Sequence, residues 1–136
     1  MVSIARTSRR SRLVLGAILL LVGASGSGAQ QSAIQRKLLL TQDGPPGYQT
    51  LVVALEIAPG GQEDKHTHPG PISGYIIEGA LVLENEGRPT TTYKAGEAFY
   101  VEAGKVHFGA NTGTAPVKIV VTLVVEKGKP AASPAP

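Results

Sequence analysis

His66, His68 and His107 are the only histidines in this chain of 136 residues, and two of them stand one residue apart at the head of the stretch HTHPGPISGYIIEG. On a strand, alternate residues share a face, so His66 and His68 would present two imidazoles to one side together. His107 falls in a later strand-like run. Three neutral imidazoles converging in a barrel mouth would suit one divalent transition metal (iron, manganese, nickel, copper or zinc) and leave coordination positions open for water or substrate. The same spacing also fits an exposed loop pair together with a core histidine satisfied by its neighbours, and spacing alone does not choose between the two. The chain has no cysteine, so neither a thiolate ligand nor a disulfide is available.

The elements that would position these residues are strands. Short apolar runs over residues 38–41, 50–57 (TLVVALEI), 75–77, 81–83, 90–94, 98–101, 106–110 and 117–125 (VKIVVTLVV) are separated by turn sequences such as DGPPG, PGG, EG and ENEGRP. No segment has a helical period over a useful length, and no internal repeat is visible. About eight short strands at this spacing predict an all-β domain, a barrel or double-sheet jelly roll. A chain of this length has room for one core and one site.

Two terminal segments stand apart in composition. Arg6, Arg9, Arg10 and Arg12 precede an apolar run over residues 13–22 that gives way to Ser27, Gly28 and Ala29, the pattern of a secretory signal peptide over residues 1–29. The apolar run is too short for a bilayer, which needs about twenty residues, so no stable membrane anchor is expected. Export to the periplasm or beyond follows, with Arg9-Arg10 a weak hint of the twin-arginine route. Residues 127–136 (KGKPAASPAP) read as a disordered Pro/Ala-rich tail, leaving residues 30–126 as the barrel domain.

Four of the 13 basic residues lie in the leader, so residues 30–136 carry 9 basic against 10 acidic and a formal charge of −1. The basic balance of the whole chain is therefore a targeting feature. No basic cluster interleaved with aromatics remains, and nucleic acid is not an expected partner.

The sequence also resembles a known family. Gly60-x5-His66-x-His68, with Gly79 further on, resembles the first motif of the cupin superfamily, G-x5-H-x-H-x3,4-E-x6-G. Gly96-x5-Glu102-x-Gly104-x2-His107-x3-Asn111 resembles the second, G-x5-P-x-G-x2-H-x3-N. The two motifs span residues 60–111, about half of the chain after the leader, with a spacer like that of small single-domain bacterial cupins. The resemblance implies the cupin β-barrel, a double-stranded β-helix or jelly roll, with His66, His68 and His107 as metal ligands. The usual cupin glutamate falls at Ile72, or at Ser73 in the alternative register, so no carboxylate ligand is carried over. Glu102 replaces the usual proline and is expected to alter the turn. Three-histidine cupins include thiol dioxygenases and diketone-cleaving enzymes, which implies either a metal-dependent dioxygenase or isomerase acting on a small organic molecule, or a non-catalytic module that binds a metal or small ligand.

Several other residues are expected to be structural. Gly60, Gly79, Gly96 and Gly104 read as turn or bulge positions. The aromatics, Tyr100 among them, read as packing, Glu78 as a solvated turn, and Asn111 as a backbone anchor near the site. No second titratable group with an acid/base role is evident inside the barrel. The apolar segment 34–40 suits pairing with a neighbour's sheet edge, and a homodimer is expected.

Overall fold

A computed structural model describes residues 33–136; the expected leader, residues 1–29, lies outside them. Among the described residues there is no helix, and hence none long and apolar enough to cross a membrane. Ten strands form: β1 (Ile34–Asp43), β2 (Tyr48–Ile57), β3 (His66–Thr67), β4 (Ile72–Glu78), β5 (Ala80–Asn85), β6 (Thr91–Lys94), β7 (Ala98–Val101), β8 (His107–Ala110), β9 (Val117–Glu126) and β10 (Ser133–Pro134). They build two five-stranded antiparallel sheets, ordered β1-β2-β9-β4-β7 and β10-β3-β8-β5-β6.

The centre of the first sheet follows directly from sequence. β9 alternates strictly: Val117, Ile119, Val121, Leu123 and Val125 are buried, while the residues between them are partly exposed. β-Branched side chains at a period of two favour a half-buried strand. It pairs with β2 along its full length, from Tyr48 opposite Glu126 to Ile57 opposite Val117, and with β4 on its other side. Its inward residues join Ile57, Ile76, Leu81 and Phe99 in one apolar core between the sheets. The β4–β5 turn needs glycine for two reasons. Gly79 has φ 78°, and a Cβ there would stand 2.6 Å from the Pro116 carbonyl oxygen.

The two sequence motifs are sewn to each other by the backbone. Gly60 N–H donates to Asn111 O and Asn111 N–H to Gly61 O, both at 2.9 Å. The buried Asn111 side chain donates to Ile57 O at 2.9 Å and Ala115 O at 2.8 Å, and accepts from Gly113 N–H at 3.0 Å. It thus fixes the connection into β9, the anchoring part expected of it.

Residues 127–136, expected from composition to be a Pro/Ala-rich tail, carry a short strand. Ser133 and Pro134 form β10, opposite Thr67 and His66, and Ala135 N–H donates to Lys65 O at 3.0 Å. Such a strand comes from pairing with an edge rather than from apolar content, so composition does not announce it. An edge strand also tolerates proline, which lacks the N–H a central strand would need.

Candidate metal centre

β3 and β8 are neighbours in the second sheet, with His66 directly opposite His107. His68 follows β3, and its carbonyl accepts the Gly104 N–H at 2.8 Å, which ties it to the turn ahead of β8. The three imidazole centroids are 4.4 Å (His66–His107), 4.9 Å (His66–His68) and 5.1 Å (His68–His107) apart. One ring nitrogen from each lies within 4.8 Å of the others, so the three form a group that could hold a metal ion.

Their orientation is fixed from behind. Each Nδ1–H donates to a backbone carbonyl: His66 to Asp64 at 2.7 Å, His68 to Ala131 at 2.6 Å, and His107 to Lys105 at 3.0 Å. A carbonyl can only accept, so each neutral ring carries its proton on Nδ1 and keeps the Nε2 lone pair free. Burial pushes the pKa of His68 and His107 below the ordinary histidine value, against the smaller opposing effect of the Ala131 and Lys105 carbonyls. Neutral, lone-pair-bearing imidazoles are what a borderline-soft divalent cation requires, so the residues present fit such an ion.

The histidines line a cavity of about 170 Å³ whose wall is mostly apolar, with Leu55, Ile72, Leu81, Phe99, Val121 and Leu123 among its residues. Ile72, buried at the head of β4, thus faces the same space as the imidazoles, as the motif register requires. Glu102 lies outside this cavity and pairs with Arg88, while Glu78 is exposed and pairs with Lys118. Tyr100 is exposed on β7.

The acidic residue of the cavity wall is not legible in the sequence. Glu63, whose side chain is only 11 % exposed, lines the cavity together with Arg36 of β1. Its carboxylate accepts from Arg36 Nη2 at 2.7 Å and from Gly109 N–H at 3.2 Å. Gly109 lies two residues beyond His107, and a Cβ there would meet Leu81 Cδ1 at 2.9 Å and Glu63 Oε2 at 3.1 Å. A bare backbone at this point lets the carboxylate approach. The cavity wall thus includes a titratable group besides the histidines, which the sequence does not place there. In sequence Glu63 is one acid in the polar run GGQEDK, and its setting depends on partners 27 and 46 residues away.

Comparison with known proteins agrees with this architecture. Residues 53–125 match the family model described as Cupin domain. Germin-like protein subfamily 2 member 2 of Arabidopsis thaliana is 37% identical over 83 residues, covering 55% of this chain and 38% of the relative. The chain thus spans well under half the length of that protein. Among solved structures, a conserved protein with a double-stranded β-helix domain from Klebsiella pneumoniae superposes with a TM-score of 0.63 at 23% identity, over 78% of this chain and 87% of its own. An oxalate oxidase in complex with glycolate superposes with a TM-score of 0.61 at 21% identity, over 77% and 56% respectively. At these identities the structural likeness speaks for the fold.

Proposed function

The chain belongs to the cupin domain family, and from that premise we propose that it is an exported metal-dependent enzyme, a dioxygenase or isomerase, acting on a small organic anion with an apolar body. His66, His68 and His107 are the ligands of one divalent ion, each through Nε2. The observation that carries this reading is the set of three Nδ1–H···O=C bonds, which leave three Nε2 lone pairs free on clustered rings beside an apolar cavity. When bound, such an ion supplies Lewis-acid polarisation of a ligating oxygen and, if iron, manganese or copper, a centre at which dioxygen can react.

The substrate class follows from the lining. With Ile72 in place of a carboxylate, no protein anion offsets the ion's charge at that position, so an anionic oxygen donor is favoured there. The wall of Leu, Ile, Val and Phe side chains favours a hydrocarbon body behind it. The oxalate oxidase neighbour supports a small oxygen-donor acid as the general ligand type, whereas the apolar wall argues against a ligand as polar throughout as oxalate. Glu63, paired with Arg36 and accepting from Gly109 N–H, is the carboxylate of the cavity wall and the group we assign as proton acceptor if the site is an enzyme's.

Elemental analysis of protein purified from its native compartment, followed by oxygen uptake and product analysis over a panel of small aliphatic and aromatic carboxylates, tests the reading. Stoichiometric iron, manganese or copper with turnover of such an acid is expected; a stoichiometric ion with no turnover on any of them would leave only the binding module. Export follows from residues 1–29, and the exported protein should begin near Gln30 by mass spectrometry. An intact Met1 on membrane-bound protein would refute it.

A further inference from the structure

We infer that residues 127–136 are a working part of the histidine centre: a strap whose Ala131 carbonyl sets the tautomer and aim of His68. Of the three imidazoles, His66 and His107 take their Nδ1 acceptors two residues away, from Asp64 and Lys105. Those bonds are local to the segments that enter β3 and β8. His68 takes its acceptor from 63 residues away, so its orientation depends on the strap being docked.

The docking is specific. The chain leaves β9 at Glu126, turns at Gly128 (φ 83°), and returns along β3. Ala131 packs against the apolar core and contributes to the cavity wall. Two residues on, β10 pairs with β3, and Ala135 N–H closes on Lys65 O. Pro130, Pro134 and Pro136 narrow the conformations open to the undocked segment, which lowers the entropy lost on docking.

Which nitrogen of a neutral imidazole carries the proton is set by the hydrogen bond the other nitrogen lacks or makes. Without the Ala131 carbonyl, His68 is free to rotate and to hold its proton on Nε2, where it blocks metal ligation. Losing a partner that orients a ligand in this way typically lowers metal affinity by about 10–100-fold. Residues 127–136 thus gate ligand quality without supplying a ligand. The affinity part of this inference rests on the metal reading above; the tautomer part does not.

The test separates the two. In the intact, metal-free chain at a pH where the rings are neutral, nitrogen NMR should find all three histidines as Nδ1–H tautomers. Deleting residues 130–136 should convert His68 to a mixture rich in Nε2–H while His66 and His107 stay as they are. Zn2+ affinity by titration calorimetry should fall by at least about tenfold. Ala135→Pro, which removes one strap N–H in a full-length chain, should move His68 in the same direction by a smaller amount and keeps the test open if the deletion does not fold. The inference is overturned if His68 is the Nε2–H tautomer in the intact chain, if it is unmoved in both variants, or if all three histidines change together. A shifted His68 tautomer with no Zn2+ binding in any chain would instead sink the metal reading and leave the strap.

Discussion

Ile72 sits at the head of β4, opposite Val101 and Leu123, and faces the cavity beside the histidines. Ile72→Glu should act oppositely in the two states of the site. Without metal it buries a carboxyl against hydrocarbon, which costs on the order of a few kcal/mol or keeps the group protonated. With metal it adds an oxygen ligand and its charge, which offsets that cost. The expected result is a lower melting temperature after chelation, tighter metal binding by calorimetry, and weaker binding of acetate or azide at the ion. Ile72→Ala, the packing control, should lose about 2–4 kcal/mol with no gain in metal affinity. Equal metal affinity in wild type and Ile72→Glu would mean that the side chain does not reach the ion. Glu63→Gln probes the other new member of the cavity, since it keeps an acceptor for Gly109 and removes the charge. Turnover should fall by about 10²–10⁴, the usual contribution of a positioned proton acceptor, while metal occupancy is retained. Unchanged turnover would reduce Glu63 to a structural partner of Arg36. The contrast between the two residues shows what sequence can yield. Ile72 lies at a fixed count from His68 within one local motif, whereas nothing local marks Glu63, whose setting is made by Gly109 on β8 and Arg36 on β1.

Strands whose inward face is apolar were legible because alternation states both their existence and their facing; β7 coincides with the run read over 98–101, and β9 extends the run over 117–125 by one residue. β3 and β10 are two residues each and exist only through their partners, so no local pattern could announce them. β1 is an intermediate case. Its read core, 38–41, grows to Ile34–Asp43 because pairing with the long β2 extends it, with an irregularity between Leu38 and Leu40. It ends its sheet, and Leu38, Leu39 and Leu40 are 58%, 50% and 49% exposed. Consecutive exposed leucines on an edge strand are an invitation to pair, and a homodimer through β1 is the proposed occupant. Replacing Leu38 and Leu40 by lysine should convert a dimer to a monomer by light scattering at tens of micromolar, with little change in the circular dichroism of the fold. A wild-type chain that is monomeric under the same conditions would exclude this surface as a self-contact.

Across the domain, His68 and His107 make stability depend on pH with a definite sign. Burial holds the folded pKa of His68 and His107 below the ordinary value of 6.5. Between the folded and unfolded values the unfolded chain binds more protons, so stability rises with pH in that window. The full contribution is present above about pH 6.5 and is lost as the pH falls toward the folded values, because each buried ring must then take up a charge in an apolar cavity. Glu63 opposes part of this, since its carboxylate favours the charged form of both rings. The chelator-treated protein should therefore melt at a lower temperature at about pH 5 than at about pH 8, and Glu63→Gln should steepen the fall. Bound metal adds a second dependence of the same sign, because it needs all three rings neutral and releases protons as it binds. The melting temperature gained by adding Zn2+ should thus be largest near pH 8 and shrink toward pH 5. A chelated protein whose melting temperature is flat across that range would show that the rings are not held neutral by burial. A Zn2+ gain that is equally large at both ends would show that the ion is bound elsewhere than on His66, His68 and His107.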